Sequence, residues 1–291
     1  MITVFTPAYN RAHTIDKLYR SLLSQTCFDF EWVVVDDGST DGTETYFEKI
    51  LKCENPFKIT YVKQPNGGKH RAINRGVQLA GGELFFIVDS DDYLTPDAIG
   101  KLIEWRSSLE GSKQWAGVSG VRGYSESECI GGDGGGSSFI DATNLERGAK
   151  NLCGDKAEAY FTEVLKKYPF PEFDGENFIT EEVVWNAIAY DGYYLRWYRN
   201  IIYICEYLEG GLTKSGDKKY ENNPQGVLYW TKLQLKVFPD SLRRKFSAVN
   251  RYYQAVKKNK KVKEIAKDIG ISKFYVRIAV FAVRIKRLFK R

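Results

Sequence analysis

Short apolar runs alternate with amphipathic segments over the first third of the chain. The apolar runs span 2–6, 31–35, 58–62 and 84–88, and they have the length and the aromatic and β-branched content of strands. Between them, at 15–23, 43–51 and 70–80, apolar residues recur about every 3.6 positions, as in a helix with one buried face. This order predicts an α/β fold in which βαβ units build a parallel sheet with its loops gathered at one edge.

Beyond Trp115 the pattern becomes less regular. Strands are predicted at 117–124 and 194–207, a flexible glycine-rich loop at 131–138, and a helix at 183–190. From Asn223 to the end the chain has a helical pattern. We therefore expect one large domain over 1–215, with halves 1–110 and 111–215, and a helical region over 216–291.

Composition narrows the class of protein. No run approaches the length of about 18 apolar residues that a membrane-spanning helix needs. The first strand begins at once, without the features of an export signal. Five scattered cysteines outside any CxxC spacing indicate reduced thiols, and only two histidines argue against a histidine-built metal site or a serine-histidine-aspartate site. We therefore expect a cytoplasmic protein.

The net charge of +6 is unevenly distributed along the chain. From Lys257 onward, 13 basic residues stand against two acidic ones, a local charge of +11, whereas the rest of the chain carries −5. The basic character therefore belongs to the C-terminal tail, and we expect any contact with an anionic surface there.

Carboxylates cluster where two of the predicted strands end. They are Asp36 and Asp37 after the run 31–35, and Asp89, Asp91 and Asp92 after the run 84–88. Carboxylates this close repel one another, and the usual remedies are a divalent cation, a basic partner or exposure to water. The alternative is a pair of solvated turns that cap the following helices. Because ligands of open α/β sheets bind beyond the carboxyl ends of the strands, these acids are predicted to border the ligand crevice.

Four motifs at predicted strand ends follow one another in a specific order. They are Thr6-Pro7-Ala8-Tyr9-Asn10-Arg11, Asp36-Asp37-Gly38-Ser39, Gly67-Gly68-Lys69-His70-Arg71 and Asp89-Ser90-Asp91-Asp92. Together they resemble the family 2 glycosyltransferases with the GT-A fold, of the type that builds bacterial surface polysaccharides. The resemblance implies a Rossmann-like mixed sheet flanked by helices, here with a helical, basic C-terminal extension. It also implies an inverting hexosyl- or N-acetylhexosaminyltransferase that uses a nucleotide sugar, most often a UDP-sugar, with Mn²⁺ or Mg²⁺.

The motif residues suit a nucleoside diphosphate on their own terms. The Pro7-Ala8-Tyr9 turn offers a flat surface for the base, and Asp36 or Asp37 can accept a hydrogen bond from the uracil N–H. Lys69 or Arg75 can meet phosphate oxygens next to the backbone N–H groups of the glycine turn. On this interpretation 1–110 is the nucleotide-sugar-binding half and 111–215 the acceptor half.

Asp89 and Asp91 are the predicted metal ligands, and the alternative is that one of them bonds the ribose. The metal would stabilise charge on the departing diphosphate. The full nucleotide-sugar site predicted from the sequence comprises Thr6, Pro7, Ala8, Tyr9, Arg11, Asp36, Asp37, Gly38, Gly68, Lys69, Arg75, Asp89 and Ser90.

Inversion also needs a carboxylate that takes the proton from the attacking hydroxyl. The resemblance places this base at an acidic pair that opens a helix, usually Glu followed by Asp, and here the pair is Glu181-Glu182. Either residue can be the base, because Glu182 occupies the usual position and Glu181 lies nearer the helix N-terminus. Trp185 and the segment 169–173 are candidates for the acceptor wall, with core packing as the alternative.

The basic tail is consistent with three interpretations. Its segment 264–276 has the spacing of a helix-turn-helix, but the following helix is too apolar to read base edges, so we expect no nucleic-acid partner. A helix on an anionic membrane surface fits better, with a basic stripe of Lys273, Arg277, Arg284, Arg287 and Arg291. Packing on the protein or in a homo-oligomer is the close alternative. A membrane-bound tail predicts a lipid-linked glycan acceptor at the inner face of the cytoplasmic membrane.

Two other classes of function remain open at this level. A nucleotidyltransferase would share the nucleotide-binding core and the metal-binding acids but would not need Glu181 and Glu182. A non-catalytic protein that binds nucleotide sugars would need only the donor site.

Overall fold

The computed structural model describes residues 1–206 and 218–288. The chain divides into two compact units, one formed by Met1–Pro169 with Ile188–Leu208 and the other by Phe170–Ala187 with Glu209–Arg291. The division expected from the sequence places the segment 170–187 in the N-terminal domain, whereas here this segment is part of the second unit. The expected boundary at residue 215 lies outside the described residues, as does Arg291 of the expected basic stripe.

The first unit is built around one mixed sheet. Its strands in the described chain are β1 (Ile2–Ala8), β2 (Phe30–Asp36), β3 (Lys58–Lys63), β4 (Leu84–Ile87), β5 (Tyr93–Leu94), β6 (Trp115–Gly123), β7 (Phe139–Ala142), β8 (Lys156–Phe161) and β9 (Tyr194–Ile204). They lie in the order β3-β2-β1-β4-β8-β6-β9-β5, and β7 pairs with β9. The predicted parallel sheet is confirmed for the first four strands, whereas β8 runs antiparallel to both β4 and β6.

Helices cover the faces of this sheet. They are α1 (Ile15–Leu23), α2 (Thr43–Ile50), α3 (Lys69–Leu79), α4 (Ala98–Ser107) and α5 (Thr162–Lys167), with a short 3₁₀ turn at Asn144–Glu146. Strands β1, β2 and β4 are almost wholly buried, which explains why they appear in the sequence as continuous apolar runs instead of alternating ones. Their side chains and the inner faces of α1, α2 and α4 form the main core of the unit.

The parallel register brings the strand-end motifs to one edge. Ala8 at the end of β1 pairs with Asp36 at the end of β2, and Asp36 pairs with Lys63 at the end of β3. The residue after β4, Val88, donates its backbone N–H to the carbonyl of Phe5. The loops that follow these strands therefore leave the sheet on the same side, as the alternation of elements predicted.

Helix α3 packs very closely on the sheet at Gly76. A Cβ atom at this position would lie 2.2 Å from the ring of Phe5 in β1. The missing side chain lets the helix backbone approach the strand, and this distance sets the position of the first turn of α3 above the sheet edge.

The second unit is helical. It contains the beginning of α6 (Glu182–Tyr190), followed by α7 (Lys218–Glu221), α8 (Pro224–Val237), α9 (Leu242–Val256), α10 (Val262–Ile269) and α11 (Lys273–Leu288). Helices α8 to α11 share an apolar core that includes Val227, Tyr252, Ile265, Val276 and Val280. Gly270 ends α10 in the left-handed conformation with φ of +84°. Within the described residues, no helix has the length and apolar character needed to cross a membrane.

Candidate active site

Asp37 holds the glycine turn that precedes α3. Its carboxylate accepts hydrogen bonds from the backbone N–H of Gly67 at 2.9 Å and of Gly68 at 2.7 Å, and from the side-chain amide of Gln64 at 2.8 Å. Gly38 follows with φ of +84°, and a Cβ there would lie 2.8 Å from the backbone nitrogen of Asn66. The second and third motifs are therefore one hydrogen-bonded structure, and only glycine fits where they touch.

Asp36 is fully buried beside this turn. Its carboxylate accepts hydrogen bonds from the backbone N–H of Ser39 at 2.7 Å and from the hydroxyl of Tyr61. Burial and the neighbouring Asp36 carboxylate raise the pKa of Tyr61 above its usual value, which keeps the phenol as a donor. Both acids predicted to bind the base thus have structural partners, although each carboxylate retains lone pairs for another donor.

The turn after β1 is attached to the turn after β2. Backbone N–H groups of Asn10 and Arg11 donate to the hydroxyls of Ser39 and Thr43, at 2.8 and 2.9 Å. Thr6 is buried and its hydroxyl accepts from the Trp32 indole at 3.0 Å, so it supports the strand end. In this fixed turn the ring of Tyr9 stays 49% exposed, a position suited to stacking with a base.

Asp89 lies between two cations at the end of β4. One carboxylate oxygen is 2.6 Å from the Lys69 ammonium, and the other is 3.6 Å from the Arg122 guanidinium. Burial alone raises the pKa of Asp89, but Lys69 and Arg122 outweigh this effect and lower the pKa to about 2. Asp89 is therefore ionised at neutral pH, and its charge is largely balanced by these side chains.

Arg122 and Tyr203 form a buried support beneath the acidic turn. The Arg122 guanidinium carbon lies 4.1 Å from the centre of the Tyr203 ring, and its Nε donates to the Lys156 carbonyl at 2.8 Å. The Tyr203 hydroxyl donates to Asp92 at 2.6 Å and accepts from the Asp89 backbone N–H at 2.9 Å. Burial and the nearby Asp89 carboxylate raise the pKa of Asp92 to about 6. Asp92 thus belongs to the support of the turn, and Ser90 is buried within it.

The remaining acid of the turn, Asp91, suits a hard cation. Its carboxylate lies 3.9 Å from the Arg11 guanidinium and is partly exposed. No group of three or more His, Cys, Asp and Glu side chains is placed to hold a metal among the described residues. At nucleotide sites, however, Mg²⁺ is bound by one or two carboxylates and takes further oxygens from the substrate phosphates. Asp91, with Asp89 beside it, fits this incomplete donor set.

The two predicted phosphate ligands differ in environment. Lys69 begins α3 directly after Gly68, whose φ is +94°, and its ammonium faces Asp89. Arg75 lies further along α3 and is exposed. Lys69 is therefore placed at the acidic edge, whereas Arg75 extends toward solvent.

In the second unit, Glu182 is held by three donors. Its Oε1 accepts from the side-chain amides of Asn186 at 3.1 Å and Gln234 at 3.0 Å, and its Oε2 accepts from the Trp230 indole at 2.9 Å. A carboxylate has about four lone-pair sites, so one remains, on Oε2. Trp185, the candidate acceptor wall, is only 9% exposed and packs edge-to-face on Phe170 at 6.0 Å.

Comparison with known sequences gives the family. Residues 3–108, which contain all four strand-end motifs, match the family described as Glycosyl transferase family 2. The match lies in the N-terminal part of the chain. The resemblance on which the sequence-based interpretation depended is thus confirmed.

Curated relatives match the chain over the same N-terminal part. Chondroitin synthase of Pasteurella multocida is 39% identical over 99 residues, which are 34% of this chain and 10% of the synthase. The putative teichuronic acid biosynthesis glycosyltransferase TuaG of Bacillus subtilis is 29% identical over 119 residues, 41% of this chain and 47% of TuaG. The chain therefore spans less than half the length of these relatives.

Solved structures share the fold over nearly the full length of the chain. S. aureus TarS 1–349 in complex with UDP-GlcNAc superimposes with a TM-score of 0.65 and 20% identity, covering 98% of this chain and 92% of TarS. The mannosyltransferase PcManGT from Pyrobaculum calidifontis, in complex with GDP-Man and Mn²⁺, gives 0.58 and 17%, covering 100% of this chain and 87% of PcManGT. The expected GT-A fold is confirmed.

The sequence did not reveal several residues that support the candidate site. Arg122 lies in a middle strand, and Trp230 and Gln234 lie in a helix that carries no family motif. Arg122 gave one signal, because it is the one charged residue of the strand Trp115–Gly123, which indicates a paired or functional charge. Trp230 and Gln234 gave none, because a single amphipathic helix does not reveal which distant carboxylate its polar residues meet.

Proposed function

We propose that the protein is an inverting glycosyltransferase that moves a sugar from a nucleotide donor to a hydroxyl of a glycan, in the synthesis of a surface polysaccharide. The observation that supports this most directly is the assembly of four family 2 motifs at one sheet edge, where Lys69 pairs with Asp89 and Arg11 lies near Asp91. The relatives named for chondroitin and teichuronic acid synthesis support the polysaccharide class.

On the donor side, the fixed turns supply the surfaces that a nucleoside diphosphate needs. Tyr9 is exposed for contact with the base, and Lys69 can stabilise phosphate charge. Asp91 and Asp89 would hold Mn²⁺ or Mg²⁺, which when bound neutralises charge on the diphosphate leaving group. We propose a UDP-sugar as the donor, since UDP and UDP-GlcNAc occupy the TarS structures. Because PcManGT holds GDP-Man, GDP-sugars are the alternative donors to test.

On the acceptor side, we propose Glu181 as the base and Glu182 as the residue that fixes the start of α6. Three of the four lone-pair sites of Glu182 are occupied by N–H donors, so protonation would weaken this network. Glu181 precedes it at the entry to α6, where a carboxylate is also favoured by the helix dipole.

The test is a screen of UDP- and GDP-sugars for hydrolysis and thermal stabilisation, with Mn²⁺, with Mg²⁺ and with EDTA. We expect one donor to be hydrolysed slowly in a metal-dependent way and to raise the melting temperature. Stabilisation without hydrolysis or transfer would indicate a non-catalytic binding protein. A nucleotidyltransferase would keep its turnover when Glu181 and Glu182 are both replaced by Gln. No response to any nucleotide would refute the proposal.

We further propose that α11 attaches the protein to an anionic membrane and that the acceptor is lipid-linked. One face of α11 is already covered, because Val276, Ala279 and Val280 belong to the core of the second unit. Another face exposes an apolar stripe with helical spacing, namely Phe274 (73% exposed), Ile278 (38%), Phe281 (64%) and Ile285 (36%). Helix α11 thus packs one face against the core of the second unit and exposes another, apolar face.

The basic residues beside this apolar stripe favour an anionic membrane as its partner. Lys273, Arg277 and Arg284 are exposed on one flank of it, in a tail with a local charge of +11. Basic residues beside an anionic bilayer contribute about 1 kcal/mol each, and buried aromatic and aliphatic side chains add to this. A second copy of the chain would carry the same positive charge and would be repelled.

Vesicle flotation tests the membrane proposal. Phe274→Ser with Phe281→Ser should weaken binding to vesicles containing phosphatidylglycerol at least tenfold, whereas Leu242→Ser, at an apolar side chain 60% exposed on α9, should not. Point variants are needed because removal of 257–291 would also remove core residues. Equal binding by both variants, or dimerisation that the double variant abolishes in the absence of vesicles, would refute the membrane role.

A further inference from the structure

The second unit contains an arginine that lies against two aromatic rings. The guanidinium carbon of Arg251, on α9, is 4.9 Å from the centre of the Tyr220 ring and 4.3 Å from that of Trp230. Within residues 1–206 and 218–288, its guanidinium forms no hydrogen bond or ion pair. Stacking uses the faces of a guanidinium and leaves the N–H donors in its plane for a carboxylate or phosphate.

Arg251 lines a small, open crevice on the second unit. Apart from Arg251, the walls are mainly apolar and aromatic, and they include Phe178, Thr180, Tyr220 and Trp230. A second cation is close, since the Lys219 ammonium lies 5.0 Å from the centre of the Phe178 ring and 5.4 Å from that of Tyr220. Aromatic walls suit the C–H faces of sugar rings, and the cations suit a negative charge on such a ring.

The crevice adjoins the candidate catalytic pair. The Trp230 indole, whose ring stacks on Arg251, donates its N–H to Glu182. Thr180, in the crevice wall, directly precedes Glu181 in the chain. A glycan that presents a hydroxyl to this pair would therefore have its neighbouring groups close to Arg251.

We propose that this crevice is an acceptor subsite for acidic glycans, in which Arg251 binds an anionic group next to the reacting sugar. The shared chemistry is a carboxylate or phosphate oxygen, supplied either by a uronic acid or by a polyol phosphate. The inference rests on the proposed function for the role of acceptor, but the binding itself can be measured without turnover.

The test compares an acidic sugar with its neutral ester and adds a phosphate-containing ligand as a second source of negative charge. A glucuronate-containing disaccharide, its neutral methyl ester and a glycerol phosphate trimer are titrated into ¹⁵N-labelled protein, and the tryptophan indole N–H signals are followed by NMR. We expect the Trp230 signal, assigned with Trp230→Phe, to shift, and one of the two acids to bind at least tenfold more tightly than the ester. The acid that binds identifies the source of the anion.

Matched variants locate the effect. Arg251→Gln should abolish the preference for the acid, whereas Arg243→Gln, which removes an exposed charge from the same helix, should preserve it. Arg251→Lys, which keeps the charge but loses the planar donors, should retain only part of the preference. Equal binding of acid and ester by the unaltered protein, or an unchanged preference in Arg251→Gln, would overturn the inference. A failed nucleotide-sugar screen would remove the transferase function and leave this binding result standing.

Discussion

Replacement of Glu182 by Gln should separate the structural role of this residue from the catalytic role proposed for Glu181. The three N–H groups that Glu182 accepts cannot all be accepted by a carboxamide. If the new oxygen takes the place of Oε1, it keeps Asn186 and Gln234, and the new NH₂ group then faces the Trp230 indole, which is itself a donor.

The size of the effect follows from these contacts. Loss of one hydrogen bond to a charged group costs about 1.5–3 kcal/mol, and the two that remain become neutral and weaker. Because Glu182 is partly exposed, water offsets some of this cost. We expect the free energy of unfolding to fall by about 2–3 kcal/mol, measured by urea titration with tryptophan fluorescence.

The transfer rate should depend on Glu181 much more than on Glu182. Below its melting temperature, Glu182→Gln should retain most of the transfer rate, whereas Glu181→Gln should lose about 10²–10⁴-fold, the usual contribution of a general base. A double-mutant cycle of Glu182→Gln with Trp230→Phe should show a coupling of about 1 kcal/mol or more. An unchanged stability together with a thousandfold lower rate in Glu182→Gln would refute the reasoning and make Glu182 the base.

Further predictions concern two aspartates of the sheet edge and one partly buried cysteine. Asp37→Ala should lower the free energy of unfolding by about 2–4 kcal/mol in urea, because three donors lose their acceptor, whereas Ala at the exposed Asp174 should change it by less than about 0.5 kcal/mol. Asp91→Asn should weaken Mn²⁺ binding in the presence of UDP by about tenfold or more in calorimetry, and an unchanged affinity would exclude Asp91 as a ligand. Burial raises the pKa of Cys205 to about 12. Iodoacetamide at pH 8 should therefore modify Cys205 roughly a hundredfold more slowly than the exposed Cys153, and the rate at Cys205 should rise with pH. Equal rates at the two cysteines would contradict this prediction.

The sequence was sufficient for those parts of the fold that local patterns determine. Buried parallel strands appear as apolar runs, and parallel pairing then brings the residues after β1, β2 and β4 to one edge without any further information. The roles of Asp36 and Asp37 as acceptors for buried donors were not foreseen, because the sequence does not show which backbone N–H groups lack a partner. Nor did it show that β8 would pair antiparallel with β4, since such a pairing depends on contacts distant in the chain.

The close contact between Gly76 and the Phe5 ring has a consequence for how related sequences can vary. A side chain at position 76 would push α3 away from β1, and Lys69, on the first turn of the same helix, would move with it. An alanine there is compatible with the fold only if position 5 carries a smaller residue. Among homologues these two positions should therefore change together, and an engineered Gly76→Ala should be rescued by Phe5→Leu.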